Sequence, residues 1–216
     1  MNNILCNFLD KREEEERIIG KEKDKKYSVL ALFCEKDGKV SILFEKRAKN
    51  ITQGGEVSFP GGRTEKNENC IETALRETFE EIGIAKDRIQ KIRHYGKIVM
   101  PTGQLIDVQI GYIENFSMEE IKVNPDEVEK VFLVPLNYFL ENEVVIENVM
   151  VENVPEYKIG DEVKIFPAKE LNLPEKYHKP WGRERKVYFY NYDGEVIWGI
   201  TGEILYSLID EIKKYY

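Results

Sequence analysis

Apolar residues from Tyr27 to Glu35, then Lys36-Asp37-Gly38-Lys39, then a second apolar, β-branched run from Val40 to Phe44 predict a hairpin. Gln53-Gly54-Gly55-Glu56 follows as a glycine-rich loop and leads into a short strand ending at Phe59-Pro60-Gly61-Gly62. The pattern then changes period. Ile71, Ala74, Leu75, Thr78, Phe79 and Ile82 recur every three or four residues, Asn69 and Glu72 supply an N-cap and its N3 acid, and Gly83 falls where a C′ glycine belongs, so Cys70–Ile82 is predicted as a helix. Strands are predicted at Ile92–Val99, Leu105–Glu114 and Val128–Val134, the last stopped by Pro135. Short helical pieces are predicted at Met118–Lys122 and from Leu136 to Leu140. A second hairpin is expected from Lys186–Tyr192 and Val196–Trp198 across Asp193-Gly194, before a closing helix capped by Thr201. Leu5 to Ile19 reads as a charged amphipathic helix stopped by Gly20.

Strands interleaved with a few helices suggest an α/β (α+β) sandwich with helices on both faces of a mixed sheet. Residues 1–26 read as a charged lead-in and 27–216 as one domain, with an elaborated connection around 141–185 where four prolines obscure the pattern.

Composition narrows the classes of function. Of 216 residues, 42% are hydrophobic and 33% charged, and no apolar run is long enough to cross a bilayer. Net charge is −8, which argues against a sequence-independent grip on nucleic acid. Cys6, Cys34 and Cys70 are too few and too scattered for a disulfide framework, and no secretory leader is legible, so a cytoplasmic location is expected.

The chemistry concentrates on the central helix. Glu77, Glu80 and Glu81 stand at i, i+3 and i+4 on one face, where three like charges repel. Arg76 answers part of that charge, and a hard divalent cation such as Mg²⁺ answers more, because it prefers carboxylate oxygens.

Taken together, Gly62-x5-Glu68-x7-Arg76-Glu77-Thr78-x-Glu80-Glu81-x-Gly83-Ile84 resembles the signature of the Nudix hydrolases. Thr78 replaces the usual aliphatic residue, and its hydroxyl can bond back to Ala74. The resemblance implies hydrolysis of a diphosphate linked to another moiety, with Mg²⁺ or Mn²⁺ held by Glu77, Glu80 and Glu81. It also implies that Glu68, Arg76 and Gly83 are scaffold. The general base is sought among Glu77, Glu81 and the downstream acids Glu127 and Glu129.

Further stretches resemble the coenzyme A diphosphatase branch: Leu43–Ala48 with Gly55–Gly62, then Asn124–Val128 with Val131–Leu136, and Ile197–Thr201. The spacing from Arg47 to Gly55 is one residue shorter than in that branch, and its second arginine is missing near Ile51-Thr52. That branch cleaves coenzyme A or its derivatives to 4′-phosphopantetheine and adenosine 3′,5′-bisphosphate. Lys46, Arg47, Gly61 and Gly62 are the candidate substrate contacts, the two cations being suited to a polyanion. The expected partner is this small molecule or a second copy in a homodimer, not nucleic acid or a membrane. The competing readings are Nudix chemistry on ADP-ribose or another nucleoside diphosphate derivative, and a non-catalytic ligand sensor.

Overall fold

A computed structural model of the chain describes residues 26–100 and 103–215. The helix expected over Leu5–Ile19 lies outside them.

The first hairpin joins β1 (Lys26–Lys36) to β2 (Lys39–Arg47) through Asp37 and Gly38, whose φ values of 53° and 75° are the positive pair that a two-residue hairpin turn requires. Beyond Phe33↔Ile42 the register between the two strands ends, and β2 diverges to pair with β3 (Val57–Ser58). The same edge of β1 is then taken, at Tyr27–Val29, by β4 (Gly61–Arg63). This fork is the local feature on which the site depends. Gly61 sits there with φ 154°, and a Cβ at that position would strike the backbone of Ser28 and Val29, so the close approach of β4 to β1 requires glycine.

The opposite edge of β1 runs parallel to β6 (Leu105–Ile113), which pairs antiparallel with β5 (Gln90–Val99), while β7 (Val128–Pro135) closes the free edge of β2. One parallel pair among antiparallel ones makes the sheet mixed. Side-chain alternation along β1 sends Leu30, Leu32 and Cys34 to one face, where they pack with Ala74 and Ile82 of helix α1 (Cys70–Ile82). Ala31 faces the other way. It shares a second core with Phe44, Phe139 of α2 (Leu136–Glu141), and Leu205 and Ile209 of α3 (Gly199–Lys213). Each fully buried aliphatic side chain contributes roughly 1.5–3 kcal/mol, so the two cores clamp the sheet from both sides, as the sandwich requires.

One expectation is corrected. Thr201 does not cap the closing helix: α3 begins two residues earlier, Trp198 is its N-cap without a side-chain hydrogen bond, and Thr201 is buried inside it. Between 141 and 185 the chain forms regular structure that the prolines concealed. Here β8 (Val145–Asn153) pairs along its length with β11 (Trp181–Tyr192), and β9 (Glu156–Ile159) with β10 (Glu162–Ile165) makes a small hairpin between them. Every residue of β8 is exposed, so no buried stripe stamps an alternation on its sequence. The second hairpin forms as β11 with β12 (Glu195–Ile197), although β11 starts at Trp181 rather than Lys186. Among the described residues no helix is long and apolar enough to cross a membrane.

Candidate active site

Helix α1 is fixed at both ends by its own sequence. Asn69 Oδ1 accepts the N–H groups of Ile71 and Glu72 at 3.0 Å, and the Glu72 carboxylate accepts the Asn69 N–H at 2.9 Å, so the capping box is complete. Gly83, left-handed at φ 77°, donates its N–H to Phe79 O. Thr78 is buried and its hydroxyl donates to Ala74 O at 2.6 Å, as its sequence position predicts.

The three helix acids do not share one environment. Glu81 lies two turns beyond Ala74, and is buried with it at 4% exposure; Phe79, expected on the buried stripe, faces solvent instead. Glu81 Oε2 accepts the Gly61 N–H at 2.8 Å, which ties α1 to the fork in the sheet. The Glu77 carboxylate packs against Gly62 so closely that a Cβ there would collide with it. Glu80 is half exposed.

Arg76 holds these acids in register. Its Nε and Nη2 bind Glu68 at 2.6 and 3.0 Å, Nη1 reaches Glu80 at 2.9 Å and Glu77 at 3.0 Å, and Nη2 also donates to Arg63 O. Hydrogen bonds from Arg76 hold the Glu68 carboxyl down at about 2. Glu68 also accepts from Thr73 and from the Glu65 N–H, so it is committed to scaffolding.

Burial pushes the Glu81 carboxyl well above the ordinary range, and the nearby charge of Glu45 raises it further. Burial raises Glu77 too, against the pull of Arg76. Glu45, which sequence reasoning did not single out, is completely buried on β2. Its one legible signal is an acid placed directly after the apolar run Val40–Phe44. Glu127 is half-buried just before β7, its carbonyl accepting the Ala48 N–H at 2.8 Å, and its charge reaches both Glu45 and Glu77. Glu129 is exposed.

A cavity of about 430 Å³ opens beside this group. It includes Gly61, Gly62 and Arg47, and is otherwise walled largely by apolar side chains such as Val29, Ile106, Val149 and Ile204. The carboxylates of Glu45, Glu77 and Glu81 do not line it; acids and cavity meet at the glycine strand β4. Lys46, expected beside Arg47, faces elsewhere: successive residues of a strand point to opposite sides, and its ammonium group is paired with Glu195 at 3.0 Å. A wider cleft of about 980 Å³ continues along β11, past Arg185, to Trp181 and Tyr177. Those two rings pack together with centroids 5.2 Å apart.

The donor chemistry fits a hard divalent cation. Glu45, Glu77, Glu80, Glu81 and Glu127 bring only carboxylate oxygens, Arg76 and Arg47 offset only part of their mutual repulsion, and Glu45 Oε2 is buried without a hydrogen-bond partner among the described residues. Among the described residues no three such side chains stand close enough together to enclose an ion as they are.

Residues 24–154 match the family model described as NUDIX domain. The chain is 37% identical over 117 residues to Nudix hydrolase 3 of Caenorhabditis elegans (53% of this chain, 49% of that one). It is 34% identical over 122 residues to the peroxisomal coenzyme A diphosphatase NUDT7 of Mus musculus (55% and 50%). A longer match, 26% identical over 188 residues, joins it to the Nudix hydrolase NudL of Photorhabdus laumondii (86% and 83%). The chain spans about half the length of the first two relatives. A MutT/nudix family protein from Enterococcus faecalis shares the fold with a TM-score of 0.54 at 13% identity, over 98% of this chain and 69% of that one.

Proposed function

Because the chain belongs to the NUDIX domain family, we propose that it hydrolyses the diphosphate of coenzyme A or a derivative, releasing 4′-phosphopantetheine and adenosine 3′,5′-bisphosphate. The observation that carries this reading is the bond from the Gly61 N–H to buried Glu81, which brings the helix acids to the edge of a cavity shared by Gly61, Gly62 and Arg47. A diphosphate lying along β4 would have carboxylates on one side and, on the other, an apolar cavity for the bulkier part of the substrate. The likeness to the mouse coenzyme A diphosphatase supports that choice of substrate. In this reading residues 27–216 act as one domain, because the cavity wall draws on Val149, Arg185 and α3 as well as on the signature helix.

Glu77, Glu80 and Glu81 are the residues that would hold Mg²⁺ or Mn²⁺, which supplies charge neutralisation at the diphosphate and a more acidic bound water. Arg76 and Glu68 hold the helix acids in place. Glu77 and Glu80 are engaged by Arg76, and Glu81 by Gly61, whereas among the described residues no such bond to the Glu127 carboxylate is seen. Glu127 is therefore the proposed general base, accepting a proton from the attacking water. Arg47 steadies the anionic substrate at the cavity mouth.

The test is a substrate panel of coenzyme A, an acyl derivative and ADP-ribose with Mg²⁺, products being identified by mass spectrometry. Preferential formation of 4′-phosphopantetheine is expected. Preferential turnover of ADP-ribose would overturn the substrate assignment, and no hydrolysis of any diphosphate would overturn the enzyme itself.

A further inference from the structure

Within β2 the alternation that sends Ile42 and Phe44 to the α3 side sends Leu43 and Glu45 to the α1 side. Glu45 therefore enters the core beneath the helix acids from the sheet, at 0% exposure. One oxygen is accounted for: Oε1 accepts from the hydroxyl of Ser58, its register partner on β3, at 3.0 Å. The other, Oε2, is fully buried and accepts nothing from the described residues. A buried acceptor left in this condition costs roughly 1–3 kcal/mol, and more when charged.

One base stands near it: the charge of Arg47, two residues on along β2, offsets part of that cost, but no hydrogen bond from it to Glu45 is seen among the described residues. Lys46 points to Glu195 on the opposite face, and Arg47 Nε donates to Thr52 O at 3.3 Å. The acids near Glu45 are Glu77 and Glu81 from α1 and Glu127 from the entry to β7. A hydroxyl or amide side chain would serve Ser58 as well at less electrostatic cost, so the hydrogen bond alone does not explain a carboxylate.

We propose that Glu45 is an additional oxygen ligand of the divalent cation, contributed by the sheet and facing the carboxylates of α1. The assignment rests on the metal-dependent reading above. Three features carry it: complete burial, an oxygen without a donor among the described residues, and a register partner, Ser58, that stands three residues before Gly61, whose N–H binds Glu81. Nothing in the helix signature calls for an acid at this position, so the ligand set extends to a second element. The sheet would then fix the cation relative to β4, where the diphosphate is proposed to lie.

The experiment is Mn²⁺ binding to the full chain, followed by electron paramagnetic resonance of free Mn²⁺ and by the rise in melting temperature on adding the ion. Glu45→Gln is expected to weaken Mn²⁺ at least tenfold and to shrink the Mn²⁺-induced rise. Without metal it should melt at or above the wild-type temperature, because a buried carboxylate crowded by Glu77, Glu81 and Glu127 has been removed. Glu45→Asp, which keeps the charge but withdraws it by one methylene, is expected to bind between the two and serves if the glutamine variant does not fold. Wild-type Mn²⁺ affinity in either folded variant overturns the assignment. Failure of the wild-type chain to bind Mn²⁺ would instead overturn the metal-dependent reading beneath it.

Discussion

Replacing Arg76 by alanine should produce two effects of opposite sign. Arg76 is 23% exposed and donates five close contacts, two of them a bidentate pair with Glu68 at 2.6 and 3.0 Å. A charge-assisted hydrogen bond is worth about 1.5–3 kcal/mol, and partial exposure discounts each of these, so the Glu68 pair and the shared contacts to Glu77 and Glu80 together stabilise the fold by roughly 2–3 kcal/mol. For a chain of this size that corresponds to a fall of about 5–10 °C in melting temperature. Losing the guanidinium also leaves Glu77 and Glu80 without their competing cation, so Mg²⁺ should stabilise the variant more than it stabilises the wild type. The metal-free loss should depend on pH. Because Glu68 is held at about 2 instead of its ordinary 4.5, its pair with Arg76 contributes fully above pH 4.5, and that contribution fades as pH falls toward 2. Urea denaturation of both proteins at pH 7, 4.5 and 3, with and without Mg²⁺, reads all of this. A variant within about 0.5 kcal/mol of wild type at pH 7, or a gap that stays constant down to pH 3, would refute the role given to Arg76.

Three further outcomes follow from the same geometry. Glu81→Gln should lower turnover by several orders of magnitude while circular dichroism shows α1 intact, and near-wild-type turnover would remove Glu81 from the site. Gly62→Ala puts a methyl group into the Glu77 carboxylate; displacing that acid should cut kcat on the order of 10²-fold with little change in helicity, and an unchanged kcat would mean that Glu77 can move without consequence. Burial pushes the Cys34 thiol up to about 12, so alkylation at pH 8 should reach it only after unfolding, while half-buried Cys70 reacts in the native chain. Peptide mass spectrometry separates the two, and equal labelling rates in the native protein would contradict the packing under α1.

What the sequence disclosed divides along physical lines. The boundaries of α1, its capping box and its C′ glycine were legible because each depends on residues within four positions of one another. The β1–β2 turn was legible for the same reason. Glu45 was not, since its significance lies in β2 meeting β3 and β7, contacts that no local spacing encodes. Phe79 and Glu81 were exchanged in the expected helix face because hydrophobicity assigned the stripe, whereas the sheet beneath draws Glu81 inward through the Gly61 N–H. Lys46 was grouped with Arg47 because both are cations in the resembled stretch ahead of the glycine-rich loop, although strand geometry separates neighbours onto opposite sides.

The same division locates reactivity and selectivity in different parts of the chain. Every acid in the proposed reaction lies between Glu45 and Glu127, inside the stretch that matches the family model. The cavity that would receive the rest of the substrate is closed by Arg185, Lys186, Trp198 and Ile204, all beyond residue 154. The roughly 120-residue matches to the nematode and mouse relatives are too short to span both the acid group and that wall, whereas the 188-residue match to the Photorhabdus protein is long enough to do so. Exchanging wall residues should therefore change which diphosphate is preferred and leave Mn²⁺ affinity unchanged, whereas changing Glu45 or Glu81 should affect every substrate alike. If wall and acid variants instead altered both properties together, the cavity and the acid group would have to act as one site rather than as two joined at β4.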